Sequence, residues 1–158
     1  ADAKVSAHYV VTEDGQVLYD SRVICEYLND LAGGALIPAS GAARWETLTL
    51  QALGDGMLDA ALIARYEDVA RPDELKWPQW RAAQLDKCTT SLTHLDRHPE
   101  LLAGRVDLGA LAIGCALWYL GQRFADFDWR AGHLAVANWY AEFGRRPSMT
   151  RSWSLPSP

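Results

Sequence analysis

VLYDSRVICEYL, Val17 to Leu28, decides how the rest of the chain is read. Val17-Leu18-Tyr19 alternates as a short strand does, and after Asp20-Ser21 the apolar Val23, Ile24, Tyr27 and Leu28 fall at the spacing of an amphipathic helix. A strand therefore runs straight into a helix. Asp20 and Ser21 stand where a side chain can accept from the unpaired N–H groups of a first turn, and those groups, with the helix dipole, can hold a carboxylate or phosphate. Taken alone, such a pair reads as an ordinary helix cap.

Working outward, residues 7–12 read as a strand, and Glu13-Asp14-Gly15-Gln16 supplies an Asp-Gly turn that pairs the two strands antiparallel. A lone hairpin with one helix buries too little apolar surface to stand in water, so this segment needs further cover. The helix after Asp20 ends at Gly33-Gly34, where glycine accepts a left-handed backbone, and residues 35–39 form a connector.

Beyond it the pattern is helical throughout. Ser40 is positioned to cap a long helix to about Arg71, whose expected inner face includes Trp45, Leu48, Leu53, Met57, Ala61 and Ala64. Gly54 and Gly56 weaken its middle unless a neighbour needs the space. A second long helix covers about Trp77 to His98, with Trp80, Leu85, Cys88, Leu92 and Leu95 on one stripe, and stops before Pro99.

DLGALAIGCALWYLGQRF follows, uncharged from Leu108 to Gly121. It is too short for a bilayer, which takes roughly 20 apolar residues, so it is expected to be the enclosed central helix of an all-α domain, capped by Asp107. Its glycines, Gly109, Gly114 and Gly121, suggest close neighbours. Phe127-Asp128-Trp129 reads as a loop, and Ala131 to Gly144 as a last helix with Leu134, Trp139, Tyr140 and Phe143 apolar. Pro147 closes it, and the Ser/Pro tail from Ser148 is expected to be extended and anchored by Trp153.

Composition narrows the function. The 158 residues, 49% apolar and 22% charged, are enough for a real core. Fifteen basic residues against 20 acidic give a net charge of −5 and no basic stripe, which argues against a nucleic-acid partner. Cys25, Cys88 and Cys115 are odd in number and widely spaced, as expected of reduced thiols in the cytoplasm, and no leader opens the chain. His94 and His98 stand four apart without a third ligand at a convincing spacing, so no metal is expected. His8 and His133 read as surface or packing residues. Trp45, Trp80, Trp118 and Tyr66 read as core aromatics, with an apolar pocket between helices as the alternative.

The order strand, Asp-Gly turn, strand, Asp-Ser, helix, connector and all-α domain resembles a glutathione S-transferase of bacterial type. VTEDGQVLYDSRVICEYL (residues 11–28), AIGCALWYL (112–120) and WYAEFGRRPSM (139–149) carry the resemblance. It implies a mainly α protein: residues 1–34 as the end of a thioredoxin-like α/β domain, 35–39 as linker, 40–147 as the all-α domain and 148–158 as tail.

The resemblance further implies that glutathione is the co-substrate, its thiol conjugated to an apolar electrophile in a detoxification-type reaction by a cytoplasmic homodimer that needs neither membrane nor metal. Ser21 matches the family residue that holds the γ-glutamyl carboxylate, and Asp20 the acidic residue facing its amino group. Leu50, Gly54, Met57 and Trp118 are candidates for the apolar pocket.

The family's first strand-helix-strand, which carries the residue that addresses the sulfur, is not in this sequence, so that catalytic residue has no number here. The chain begins at Ala1, with Met57 and Met149 its only methionines, and is expected to continue upstream. Two positions depart from the family pattern: no proline stands near Ser6 or His8, where a cis proline would fall, and Ala110 stands where a capping Asp is common. These departures keep a non-catalytic dimerisation or binding module as the alternative.

Overall fold

The computed structural model describes residues 9–153 and is mainly α, with a two-stranded hairpin and six helices among the described residues. The hairpin pairs β1 (Tyr9–Val11) antiparallel with β2 (Val17–Tyr19), Val10 opposite Leu18. Gly15, at φ 83°, makes the reversal, and the Thr12 hydroxyl donates to the Asp14 carboxylate, holding that carboxyl below its usual range. The Asp-Gly reading is thus met. Ala7, His8 and the position of the family's cis proline lie outside the described residues.

Helix α1 (Ser21–Leu31) follows at once and ends as expected, Gly34 N–H donating to the Asn29 carbonyl with Gly33 and Gly34 both at positive φ. The Asn29 side chain then accepts from the N–H groups of Leu36 and Ile37, while the Leu36 carbonyl accepts from Leu108 N–H. One amide thus fastens the connector to α1, and the next carbonyl fastens it to the start of the central helix.

The bundle consists of α2 (Gly41–Val69), α3 (Pro78–Arg97), α4 (Leu108–Arg123), α5 (Leu134–Phe143) and α6 (Pro147–Trp153). Its core gathers Met57, Ala61 and Ala64 of α2, Cys88, Leu92 and Leu95 of α3, and Ile113, Leu117 and Leu120 of α4. Glycine decides how closely α2 and α4 approach. A Cβ on Gly54 would stand 2.7 Å from the Ala112 carbonyl carbon, and one on Gly109 would stand 2.7 Å from the Thr47 carbonyl oxygen. Gly114 packs under Phe143 and Met149, whereas nothing lies within 4 Å of a Cβ on Gly56.

Polar ends complete the bundle. The Asp107 carboxylate accepts from Ala110 N–H, Arg105 Nε and the Thr47 hydroxyl, so this one acid caps α4 and ties it to α2. Asp96 of α3 accepts from the N–H groups of Ala135 and Val136, capping α5 from another helix.

Several expectations are corrected. Trp45, expected inside, is 67% exposed, and Tyr66, Trp80 and Leu134 are exposed too. The inner stripe of α2 runs through Thr47, Leu50, Gly54, Met57, Ala61 and Ala64, and Trp45 lies off it. Ser40 holds the N-cap position of α2 without a side-chain bond. The central helix is not apolar to the core on every side: Cys115 is exposed and Trp118 and Tyr119 are half-buried. The segment after Phe143 is not extended, because Pro147 also fits the first position of a helix and starts α6 there. Trp153 closes that helix, and the expectation that it anchors the tail lies outside what the structure describes. Trp129 is in a loop as expected, yet it is among the largest fully buried side chains, edge-on to Tyr140 at 5.4 Å.

The two glycines of α2 give opposite expectations. Gly54→Ala forces the helices apart and is expected to cost about 1–3 kcal/mol. Gly56→Ala meets open space and gains about 0.5–1 kcal/mol from helix propensity. Urea unfolding of both variants checks the pair of signs.

Candidate functional site

The site is built where β2 turns into α1. Asp20 is the single non-glycine residue at positive φ among the described residues, at φ 70° and ψ 129°. An L-residue sits there at a cost, and such strain gathers where a chain must aim particular groups. The distortion folds the Asp20 carboxylate back to accept from Arg22 N–H at 2.9 Å, while its carbonyl accepts from Ile24 N–H at 3.0 Å. Asp20 is thus the N-cap, and Ser21 opens the helix. The Ser21 side chain is exposed, and neither its hydroxyl nor its N–H makes a hydrogen bond to another described residue. The positive end of the α1 dipole and two donors therefore face outward beside one carboxylate.

Arg22 fixes this corner to the bundle. Its Nε donates to Asp55 of α2 at 2.8 Å, with Asp55 mostly covered and Arg22 largely exposed. The bond to Asp55 raises the Arg22 pKa, and Asp20 and Asp59 add to it. A second pair, Arg44 of α2 with Glu26, holds the middle of the helix. Asp55 is the residue after Gly54, so the corner stands beside the point where α2 and α4 touch. Cys25, four residues after Ser21, has its thiol pKa raised by burial and by Asp55. Cys88 lies deep in the core, and burial raises its thiol to about 11.

The other sequence candidates are dispersed. Met57 is in the core, Gly54 lies under Ala112, and Trp118 is half-buried on α4. Leu50 lines a groove of about 600 Å³ with Trp45, Leu53, His94, Leu101 and Arg105, on the side where α2 meets α3. The rings of His94 and His98 are 4.9 Å apart, with Glu100 on His98. Among the described residues no three metal-ligating side chains gather. His133 binds the Trp129 carbonyl and the Thr93 hydroxyl, a packing role.

Sequence reading missed Arg22, Asp55 and the strain at Asp20. Arg22 and Asp55 are 33 residues apart and each is an unremarked charge on a helix, so no local pattern joins them. The strain left a trace: Asp abutting both strand and helix leaves no residue free to turn.

A hairpin and helix set against an all-helical bundle in this order is the arrangement of glutathione transferases, and the comparisons agree. A family profile described as "Glutathione S-transferase, C-terminal domain" matches residues 78–142. A glutathione transferase family member from Pseudomonas fluorescens Pf-5, solved with bound S-(propanoic acid)-glutathione, is 43% identical. The chain covers 77% of it, using 94% of its own length, with a TM-score of 0.89. A glutathione S-transferase from Methylobacillus flagellatus KT, solved with glutathione bound, is 33% identical with a TM-score of 0.84, over 91% of this chain and 73% of that one. The "Uncharacterized GST-like protein YibF" of Escherichia coli K12 is 31% identical over 124 residues, which are 76% of this chain. The chain spans 61% of that relative's length. The chain belongs to the glutathione transferase family.

Asp20 provides a test of the strained corner that needs no ligand. Asp20→Ala loses the cap and keeps the strain, an expected loss of about 1–2 kcal/mol, whereas Asp20→Gly relieves the backbone and stays within about 0.5 kcal/mol of the parent. Thermal or denaturant unfolding distinguishes them.

Proposed function

We propose that the chain is the γ-glutamyl-binding and acceptor-binding part of a glutathione transferase that conjugates glutathione to an apolar electrophile, a detoxification-type reaction. The observation that carries this is the strained Asp20 beside the unengaged donors of Ser21. Ser21 holds the γ-glutamyl carboxylate through its hydroxyl and N–H at the positive end of α1, and Asp20 faces the ammonium group through a charge-assisted bond. Glutathione in the related structures, including a conjugate that carries a propanoic acid, supports the reading.

In the reaction, the sulfur of glutathione gives its electron pair to an electrophilic carbon. A carbon–sulfur bond forms, and the leaving group departs with its bonding pair or, in addition to a double bond, the displaced pair takes up a proton. The thiol proton is released beforehand. A free thiol near pKa 8.5 is mostly protonated at neutral pH, so a donor to the sulfur raises the reactive fraction. We assign no described residue to the sulfur.

The acceptor lies on the open side of α4, with Trp118 at its edge and Leu50, Gly54 and Met57 in the packed layer behind. Residues 1–34 act as the glutathione-binding unit, 35–39 as linker and 40–147 as the acceptor-binding domain. No described helix is long and apolar enough to cross a membrane. We place the protein in the cytoplasm and read it as a homodimer, for which the groove under the exposed Trp45 provides an apolar contact. Light scattering is expected to give twice the chain mass, and a monomer under native conditions would contradict the dimer.

Glutathione binding tests the central assignment. Ser21→Ala is expected to weaken it by about 1–3 kcal/mol, roughly 5- to 150-fold in Kd. Asp20→Gly, which keeps the fold, weakens it about tenfold or more. Unchanged affinity in both variants, by calorimetry, would remove the assignment. Binding without turnover of any electrophile would leave the non-catalytic module as the function.

A further inference from the structure

His94 and His98 stand at the C-terminal end of α3, His94 in its last turn and His98 at its C-cap, and both are exposed. Their ring centroids lie 4.9 Å apart, with the planes inclined at 46°. Backbone bonds hold this geometry from both sides. His98 N–H donates to the His94 carbonyl at 3.1 Å, the His98 carbonyl accepts from Leu101 N–H at 3.0 Å, and Pro99 stiffens the turn between them.

The partner of His98 decides where its proton sits. Nδ1 lies 3.1 Å from a Glu100 carboxylate oxygen. A hydrogen bond from its own backbone N–H and the bond from His98 hold the Glu100 carboxyl below its usual range, so it is ionised at neutral pH. An ionised carboxylate only accepts. Nδ1 therefore carries the proton, and in the neutral ring the lone pair is on Nε2. A carboxylate on one imidazole nitrogen with the other left open is the arrangement that aims a histidine at a metal ion.

The spacing agrees. A zinc ion lies about 2.0–2.1 Å from each imidazole nitrogen and so roughly 3.2 Å from each ring centre, which puts two rings at a tetrahedral angle about 5 Å apart. The negative end of the α3 dipole lies at the same place and favours a cation. The dipole explains why basic side chains gather there, but not why a carboxylate ties one ring while the second stands beside it. Arg97 lines the adjoining cleft of about 330 Å³ with Thr89, Thr90 and Thr93, and being exposed it repels an ion only through screened charge. Two imidazoles fall short of the three protein ligands of a catalytic zinc, and no third metal-ligating side chain joins them among the described residues. Water completes the coordination.

We propose that His94 and His98 form a surface site for a divalent transition metal of the zinc, nickel or copper kind, bound by both imidazoles and by water, with Glu100 orienting His98. Imidazole suits these ions, whereas magnesium and calcium take oxygen ligands. The site includes no residue of the corner at Ser21, so it is independent of the glutathione reading.

The test is calorimetric titration of the untagged, reduced chain at neutral pH with zinc chloride and, separately, magnesium chloride. One zinc ion per chain is expected, and no binding of magnesium. His94→Ala and His98→Ala each weaken zinc binding at least about tenfold, and Glu100→Gln about threefold, a smaller loss because Glu100 is exposed. Cys115→Ser removes an exposed thiol that could also take zinc, and it leaves the affinity unchanged. Circular dichroism checks that each variant is folded. Zinc bound equally well by both histidine variants, zinc lost in Cys115→Ser, magnesium bound as tightly as zinc, or no zinc bound at all would each overturn the site.

Discussion

Everything in this molecule is referred to the backbone contact between α2 and α4. Two glycines on opposite helices, Gly54 and Gly109, let the chains approach to distances that no side chain tolerates. Dispersion favours such proximity, and the absence of a Cβ makes it geometrically possible. The consequence reaches beyond packing. Asp55 follows Gly54 directly and receives Arg22, while Leu108 precedes Gly109 directly and donates to the connector. The outer helix and its linker are therefore positioned from the same contact that fixes the core.

That arrangement explains how the corner between β2 and α1 is held with little burial. Asp20 bends the backbone, Ser21 presents its donors, and Arg22 anchors the corner to α2, three consecutive residues with three separate tasks. The strained φ at Asp20 is kept because its carboxylate satisfies an N–H that would otherwise be unpaired. The central helix divides its faces. Its inner face, Ile113, Leu117 and Leu120, is wholly buried, while Cys115 is exposed and Tyr119 half-buried.

Much of the fold is encoded in local signals. The Asp-Gly reversal, the abrupt strand-to-helix change, the paired glycines after α1, the Asp107 cap and the uncharged helix each announce themselves within a few residues, and their order was enough to suggest the family. What escaped was set by tertiary geometry. Trp45 has the chemistry of a core residue but lies off the buried stripe, and Leu134 sits at the first turn of its helix, facing out. Pro147 signals a stop by local pattern, although a proline that ends one helix suits the first turn of another. The cap of α5 comes from Asp96, about 40 residues away, and the Arg22–Asp55 pair is equally remote in sequence. Periodicity has no means of naming such partners.

Helix α1 buries no residue completely, in contrast to every long helix behind it. Ion pairs and amide bonds, not an apolar interior, secure it to the body of the protein. Such ties are weakened by dissolved salt far more than a packed core is. That end can accordingly loosen by partial, sub-global unfolding while the bundle remains intact, so the corner proposed to meet the peptide is held less cooperatively than the core.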